Sequence, residues 1–269
     1  MIEILKYIVL GLVQGLAEVL PISSSAHLVI TSEFIDVDNS VAFEVFLHLA
    51  SLIAVVFFLR KKLWKLIKGF FGYIFKRKEE YKLDFMYCIY IIISTLILVV
   101  FTLLFENLVD IASNTLWIVG LSLVINGILL FILTQIKGTR KNEELNYKDA
   151  LIIGAFQCLG VFPGISRSGS CLCGAFSRKI DKEAAADYAF ILFVPAMVGA
   201  TVLKFAHITD MILETNMIGY YILSFFVTLV TTYIAFKFLL AIIRKGKLSY
   251  FGYYCLIVGA AIFIYGLCK

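Results

Sequence analysis

Long apolar runs, separated by short stretches of charge, set the pattern of this chain. Runs close to the roughly 20 residues that cross a 30 Å hydrocarbon core fall at about 41 to 59, 85 to 105, 115 to 136, 185 to 203, 217 to 240 and 249 to 267. They predict six membrane-spanning helices. Two further apolar segments behave differently. Residues 4 to 20 are long enough to span, but Gln14 and Glu18 interrupt them and Pro21 ends them, because proline lacks an amide donor and restrains the residue before it. Residues 151 to 162 are too short to cross and run into the Pro163-Gly164 break. Each reads as a half-membrane helix, a loop and a short return helix, a re-entrant arrangement whose irregular backbone survives at depth only beside protein or water. Ser23, Ser24 and Ser25 offer N-cap oxygens to the first return helix, expected from near Ala26.

Composition agrees with this pattern. At 61% hydrophobic and 16% charged residues the chain is an all-α integral membrane protein, one membrane domain over residues 1–269. No small-residue cleavage site follows the first apolar run, so no removable signal peptide is expected. The net charge of +5 does not point to nucleic acid, because the lysines and arginines sit in short loops beside spans, where they encode topology. Arg60-Lys61-Lys62 and the lysines up to Lys82 mark 60 to 84 as a cytoplasmic loop, with Trp64, Phe70, Phe71, Tyr73 and Phe75 forming an interfacial amphipathic stretch. Residues 106 to 114 carry Glu106 and Asp110 and no base, so they belong outside. Lys137, Arg140, Lys141 and Lys148 return the chain inside, 204 to 216 lies outside, and Arg244, Lys245 and Lys247 lie inside. The six cysteines lack metal-ligand spacing and read as small packing residues.

This topology opens the two re-entrant segments toward opposite faces. Gly11, Gln14, Leu16, Ile22, Ser23 and Ser25 recur 143 positions later as Gly154, Gln157, Leu159, Ile165, Ser166 and Ser168, and Glu44 meets Asp187 at the same offset. The pattern is that of an inverted repeat, with halves at about 1–136 and 150–269. Broken helices in such a repeat place a site near the midplane.

Ionisable groups at that depth are expensive and usually face a working cavity. Gln14 and Glu18 share one helical face and are suited to binding a cation or to holding a nucleophile's proton. His27, four residues beyond Ser23, can serve as base, acid or nucleophile. Arg167 is suited to paired hydrogen bonds with phosphate or carboxylate, and the flanking Gly164 and Gly169 let backbone amides approach the same anion. Ser166, Ser168 and Ser170 either add hydrogen bonds or cap a helix. A Glu18–Arg167 salt bridge is the structural alternative. His48, which shares a face with Glu44, and His207 are weaker candidates.

Gln14-x-x-x-Glu18 with Pro21-x-Ser23-Ser24-Ser25-x-His27, and Pro163-Gly164-x-Ser166-Arg167-Ser168-Gly169, resemble the undecaprenyl-diphosphate phosphatase family associated with bacitracin resistance. Phe43-Glu44-Val45 and the stretch from Ala184-Ala185-Ala186 to Pro195 are similar as well. The resemblance implies hydrolysis of a C55 polyprenyl diphosphate to the monophosphate and inorganic phosphate, recycling a lipid carrier for cell-wall synthesis in the bacterial plasma membrane. It implies that Glu18 and His27 are catalytic and that Ser24 or His27 is the nucleophile. It further implies that Arg167 clamps the diphosphate, that Ser23, Ser25, Gly164, Ser166, Ser168 and Gly169 line the substrate site, and that Gln14 and Glu18 hold a divalent cation, Mg or Ca. Three positions depart from the family pattern: Gln14 stands where glutamate is frequent, Ala26 where glycine is, and Cys171 where threonine is. The partners expected are the polyprenyl diphosphate and membrane lipids; a homo-oligomer is compatible with the sequence. A rival reading is a transporter or flippase of an anionic polyprenyl lipid, which shares the repeat plan but leaves the serine, histidine and carboxylate group without a task.

Overall fold

Hydrocarbon offers no water to backbone amides, so every apolar run long enough to cross it must bond within itself, and the chain folds accordingly. The computed structural model describes residues 2–37, 41–203 and 217–269. It contains α1 (Ile2–Ala17), α2 (Ser24–Ile35), α3 (Val41–Lys76), α4 (Lys82–Ser113), α5 (Leu116–Leu133), α6 (Tyr147–Leu159), α7 (Arg167–Ser177), α8 (Lys182–Leu203), α9 (Ile218–Lys245) and α10 (Ser249–Cys268). Six of them, α3, α4, α5, α8, α9 and α10, are long and apolar enough to cross a membrane. The pairs α1–α2 and α6–α7 are the two short helix-loop-helix segments. The stretch 204 to 216, with His207, lies outside the described residues.

Two boundaries differ from the expected ones. The basic run 60 to 84 is not a loop: α3 continues through it to Lys76, and a single 3-10 turn at Glu79–Tyr81 leads into α4. Lysine ends the hydrocarbon contact but favours helix, and of the aromatics expected at the interface Trp64, Phe71 and Phe75 are exposed while Phe70 and Tyr73 clasp the α3–α4 hairpin. Phe70 and Tyr73 each pack on Phe85, with ring centroids 5.4 and 4.8 Å apart. At the other end, α4 carries on through 106 to 113 after a non-helical residue at Phe105 (φ −119°, ψ 16°). The expected outer loop is therefore mostly helix.

The half-helices lie on the long helices of the opposite half of the chain. α1 runs along α9 and α6 along α4. Ser224 Oγ donates to Tyr7 O (2.5 Å) and Ser94 Oγ to Ala150 O (2.7 Å), and positions 7 and 150 are again 143 apart. The pair α5 and α10 approaches closely through Gly120, Gly127, Gly252 and Gly259. A Cβ at Gly120 would stand 2.3 Å from Phe263 N, and one at Gly259 2.7 Å from Val124 N. Small residues give lipid-embedded helices the contact that hydrophobicity alone does not supply there. At the centre, α8 buries Ala184, Ala185, Ala186, Tyr188 and Leu192.

On the basic face a single aspartate ties three segments. Asp149 accepts from Arg140 (2.7 and 2.9 Å), from Arg178 Nε (2.8 Å) and from Asn146 N (3.0 Å), while Asn146 caps α6. Burial pushes the Asp149 carboxyl up, but the Arg140 and Arg178 hydrogen bonds outweigh it and hold the group below the ordinary aspartate value. A depressed folded-state value stabilises the fold above about pH 4, and that contribution is lost as pH falls through the lower value. Asp149→Asn should therefore destabilise the purified protein near pH 7 by roughly 2 kcal/mol, less than the ~3–5 kcal/mol of a fully buried pair because both arginines keep contact with water. It should also flatten the loss of stability between pH 5 and 3; thermal unfolding in detergent across that range measures both.

Candidate functional site

The two helix breaks meet. Between α1 and α2 the chain turns through residues 18–23, and Ser23 adopts φ 71°, ψ 101°. That twist removes Ser23 from the capping role expected for it: its side chain makes no cap bond to α2, and its Oγ accepts from Gly164 N (3.1 Å) in the other break. Ser166, 143 positions on, does cap, its Oγ accepting from Gly169 N (3.1 Å) at the start of α7. Ser168 Oγ reaches back to Val19 O (3.3 Å). Gly164 holds φ 103°, and a Cβ there would stand 2.5 Å from Ser122 Cβ and 2.6 Å from Val119 O, so the second break presses on α5 where only glycine fits. From α5, Asn126 donates to Pro21 O (3.0 Å) and accepts from Ser166 N (3.1 Å), joining both breaks through one buried amide.

A cavity of about 330 Å³ opens at this junction, with Glu18, Ser23, Ser24, Ser25, Ser166 and Arg167 on its wall. Ser24 Oγ donates to Glu18 Oε2 at 2.7 Å, and Gln14 Nε2 donates to the same oxygen at 2.7 Å. Gln14 Nε2 also donates to His48 Nδ1 (2.6 Å), which is 3.5 Å from Glu18 Oε2, while His48 Nε2 is 3.9 Å from Glu44 Oε1. Arg167 makes no ion pair with a carboxylate among the described residues. The expected alternative, a structural bridge to Glu18, is not formed, and the guanidinium rests on the sulfur of Met197, a weak acceptor. Its charge acts on Glu18 and Glu44 from a distance.

Ser24 and Arg167 are the first residues of α2 and α7, so two helix N-termini point into the cavity. Each carries a partial positive charge and unbonded amides. At α2 those amides have no side-chain cap. The cavity thus sets the positive charge of Arg167 and two helix N-termini against the carboxyl groups of Glu18 and Glu44.

Other expected residues stand elsewhere. Gly164 and Gly169 have their amides committed to Ser23 and Ser166, and Ser168 bonds to Val19, so these three frame the site and do not line it. His27 is off the cavity wall. Its Nδ1 donates to Ser23 O (2.8 Å), its Nε2 accepts from Tyr254 OH (2.8 Å) in the neutral ring, and it stacks on Tyr254 with centroids 5.6 Å apart. His48 and Glu44, ranked below His27 in the sequence, do line the cavity. Their signal was a histidine buried within a span, one turn from a carboxylate.

Gln14 and Glu18 do not fit together as a cation clamp. The amide turns its N–H groups, not its oxygen, toward the carboxylate, Gln14 is absent from the cavity wall, and its Oε1 is buried without a partner. Among the described residues no three His, Cys, Asp or Glu side chains converge to hold a metal ion.

With this geometry in view, the chain's relatives are informative. A profile of the family described as Bacitracin resistance protein BacA matches residues 7–261. Undecaprenyl-diphosphatase 3 of Bacillus anthracis is 38% identical over 264 residues, 97% of each chain. Undecaprenyl-diphosphatase 2 of Halalkalibacterium halodurans is 38% identical over 267 residues, 98% of this chain and 96% of its own. Undecaprenyl-diphosphatase of Oceanobacillus iheyensis is 34% identical over 266 residues, 97% and 96%. Match and motifs span nearly the whole length, and the chain belongs to the bacitracin resistance protein BacA family.

Proposed function

We propose that this protein hydrolyses undecaprenyl diphosphate to undecaprenyl phosphate and inorganic phosphate in the bacterial plasma membrane. The observation that carries the reading is the 2.7 Å bond from Ser24 Oγ to Glu18 on a cavity wall that also holds the carboxylate-free Arg167. Binding alone, as in a flippase, has no use for a hydroxyl held against a base.

The terminal phosphate sits between Arg167 and the uncapped amides of α2. Glu18 takes the Ser24 proton as Oγ attacks phosphorus, and the bond to the bridging oxygen breaks with its electron pair leaving on the lipid phosphate. Arg167 and the helix N-termini stabilise the charge that develops. Water then cleaves the phosphoserine: its oxygen bonds phosphorus and its protons stay with the phosphate released, while Glu18 returns the Ser24 proton to Oγ as the bond from Oγ to phosphorus breaks. Ser24 is the attacker and His27 is not, because both imidazole nitrogens are engaged away from the cavity; His27 holds the Ser23 carbonyl and so the turn before Ser24.

The lipid tail leaves sideways between α4 and α8. That side of the cavity is apolar, lined by Val99, Leu103 and Leu203, which are also exposed on the outer surface of the bundle. Gly199 faces open space there: no atom lies within 4 Å of where its Cβ would be. The head-group end continues into a vestibule of about 1170 Å³ lined by Asp36, Glu106, Asp110 and Lys269. It lies opposite the face carrying Arg140 and Arg178, so the positive-inside rule supports access from the outer side.

Two sets of measurements test this. Arg167→Ala should lower phosphate release from C55 diphosphate in detergent by roughly 100- to 1,000-fold with unchanged thermal unfolding, and Ser24→Ala should abolish it; near-normal turnover in either variant sinks the corresponding assignment. Gly199→Phe should fill the tail channel, raising KM for the C55 substrate about tenfold or more while sparing a short-chain diphosphate. One buried aromatic displaces enough apolar contact, at ~25 cal/mol per Å², for that shift. Equal effects on both substrates would move the tail elsewhere.

A further inference from the structure

Ser23 holds a backbone conformation that serine does not choose. At φ 71° and ψ 101° it lies outside the regions open to a residue with a Cβ, and such strain persists only where neighbours impose it. Bonds from two sides do so here. Ser23 Oγ accepts from Gly164 N, and Ser23 O accepts from His27 N (3.3 Å) and from His27 Nδ1 (2.8 Å). A carbonyl can only accept, so the neutral imidazole carries its hydrogen on Nδ1 and turns the Nε2 lone pair to the hydroxyl of Tyr254, 2.8 Å away. The tyrosine ring stacks on the imidazole as well. Its helix is a firm support: Gly252 and Gly259 bring α10 against α5, and Cys255 Sγ, the next residue, accepts from Asn126 (3.3 Å).

The second half of the chain shows what happens without such a ring. The counterpart of His27, 143 positions on, is Ser170, whose buried Oγ has no partner. There Ser166, the counterpart of Ser23, takes an ordinary extended backbone (φ −72°, ψ 124°), and its Oγ caps α7 through Gly169 N. A serine before a return helix therefore caps it unless it is held away. We propose that Tyr254 is a positioning residue for the reaction: through His27 it clamps Ser23 in the strained form, which keeps the Ser23 hydroxyl off the first-turn amides of α2 and leaves them open to phosphate. Tyr254 is absent from the cavity wall, so it acts through His27 and Ser23 and not on the substrate. Released from the clamp, Ser23 relaxes toward the conformation of Ser166, and its Oγ competes with phosphate for the same amides. This rests on the reading that the terminal phosphate sits at the head of α2.

Tyr254→Phe tests this, because it keeps the stacked ring and removes only the hydroxyl. In detergent with C55 diphosphate it should raise both KM and the inhibition constant of inorganic phosphate about fivefold, the net worth of one hydrogen bond, with little change in kcat or in thermal unfolding. Repeating the substitution on a Ser23→Gly background separates a clamp from general loosening. Glycine takes a φ of 71° without strain and has no hydroxyl with which to cap, so Tyr254→Phe should add less than about twofold there. The same fivefold cost in both backgrounds, a fall in kcat at constant KM, or no change in either constant overturns the clamp. If Ser23→Gly does not fold, the split between KM and kcat in Tyr254→Phe alone decides. Phosphate inhibition and turnover that survive Arg167→Ala unchanged would instead overturn the placement of the phosphate on which the clamp rests, so the two failures are distinguishable.

Discussion

The site depends on closing two interruptions of helical hydrogen bonding inside the membrane. Each break frees backbone groups within the apolar interior, and these are met by the opposite break and by α5: Gly164 N on Ser23, Ser168 on Val19 O, and Asn126 holding Pro21 O with one end of its amide and Ser166 N with the other. An unmet buried amide or carbonyl costs roughly 1–3 kcal/mol, so neither break is stable alone. The need to satisfy the backbone is what brings residues 18–24 and 163–168 to one place.

Electrostatics follow from that geometry without further devices. Two short helices begin at the junction, so two partial positive charges converge on it. One N-terminus is capped by Ser166 and the other is left open, because Ser23 spends its hydroxyl on the opposite break. The hydroxyl that would have capped a helix holds the halves together, and the amides it leaves free face the space in which Ser24 and Arg167 stand. Arg167 rests on a thioether and makes no ion pair with a carboxylate among the described residues.

The two halves do the same structural work with different chemistry. Positions 7 and 150 receive matching serine hydrogen bonds, and Gly11 and Gly154 each press on a long helix of the other half. At the head of the return helices the same 143-residue offset sets Ser24 against Arg167. One segment supplies the hydroxyl and the carboxylate that it bonds, and the other supplies the guanidinium. In the second copy Gln157 is as buried as Gln14, yet Val161 stands where Glu18 would be, so that copy lacks the carboxylate.

Six spans, two interrupted segments and the paired motifs were all legible in the sequence, because length and proline placement act locally and need no neighbour to be read. Ser24, Glu18 and Arg167 were legible for the same reason: polar groups in an apolar run announce themselves. What only the tertiary structure decided was which partner each of them meets. Periodicity gives the face of a helix but not the helix opposite, so it could not tell that His27 turns to Tyr254 on α10 while His48 turns to Gln14 and Glu18 on α1, nor that Asn126 on α5 would join both breaks. Helix ends were lost similarly, since packing of Phe70 and Tyr73 on Phe85 carries α3 past a basic run that marks only the edge of the hydrocarbon. Contacts between residues tens to hundreds of positions apart settle these choices, and no local pattern encodes them.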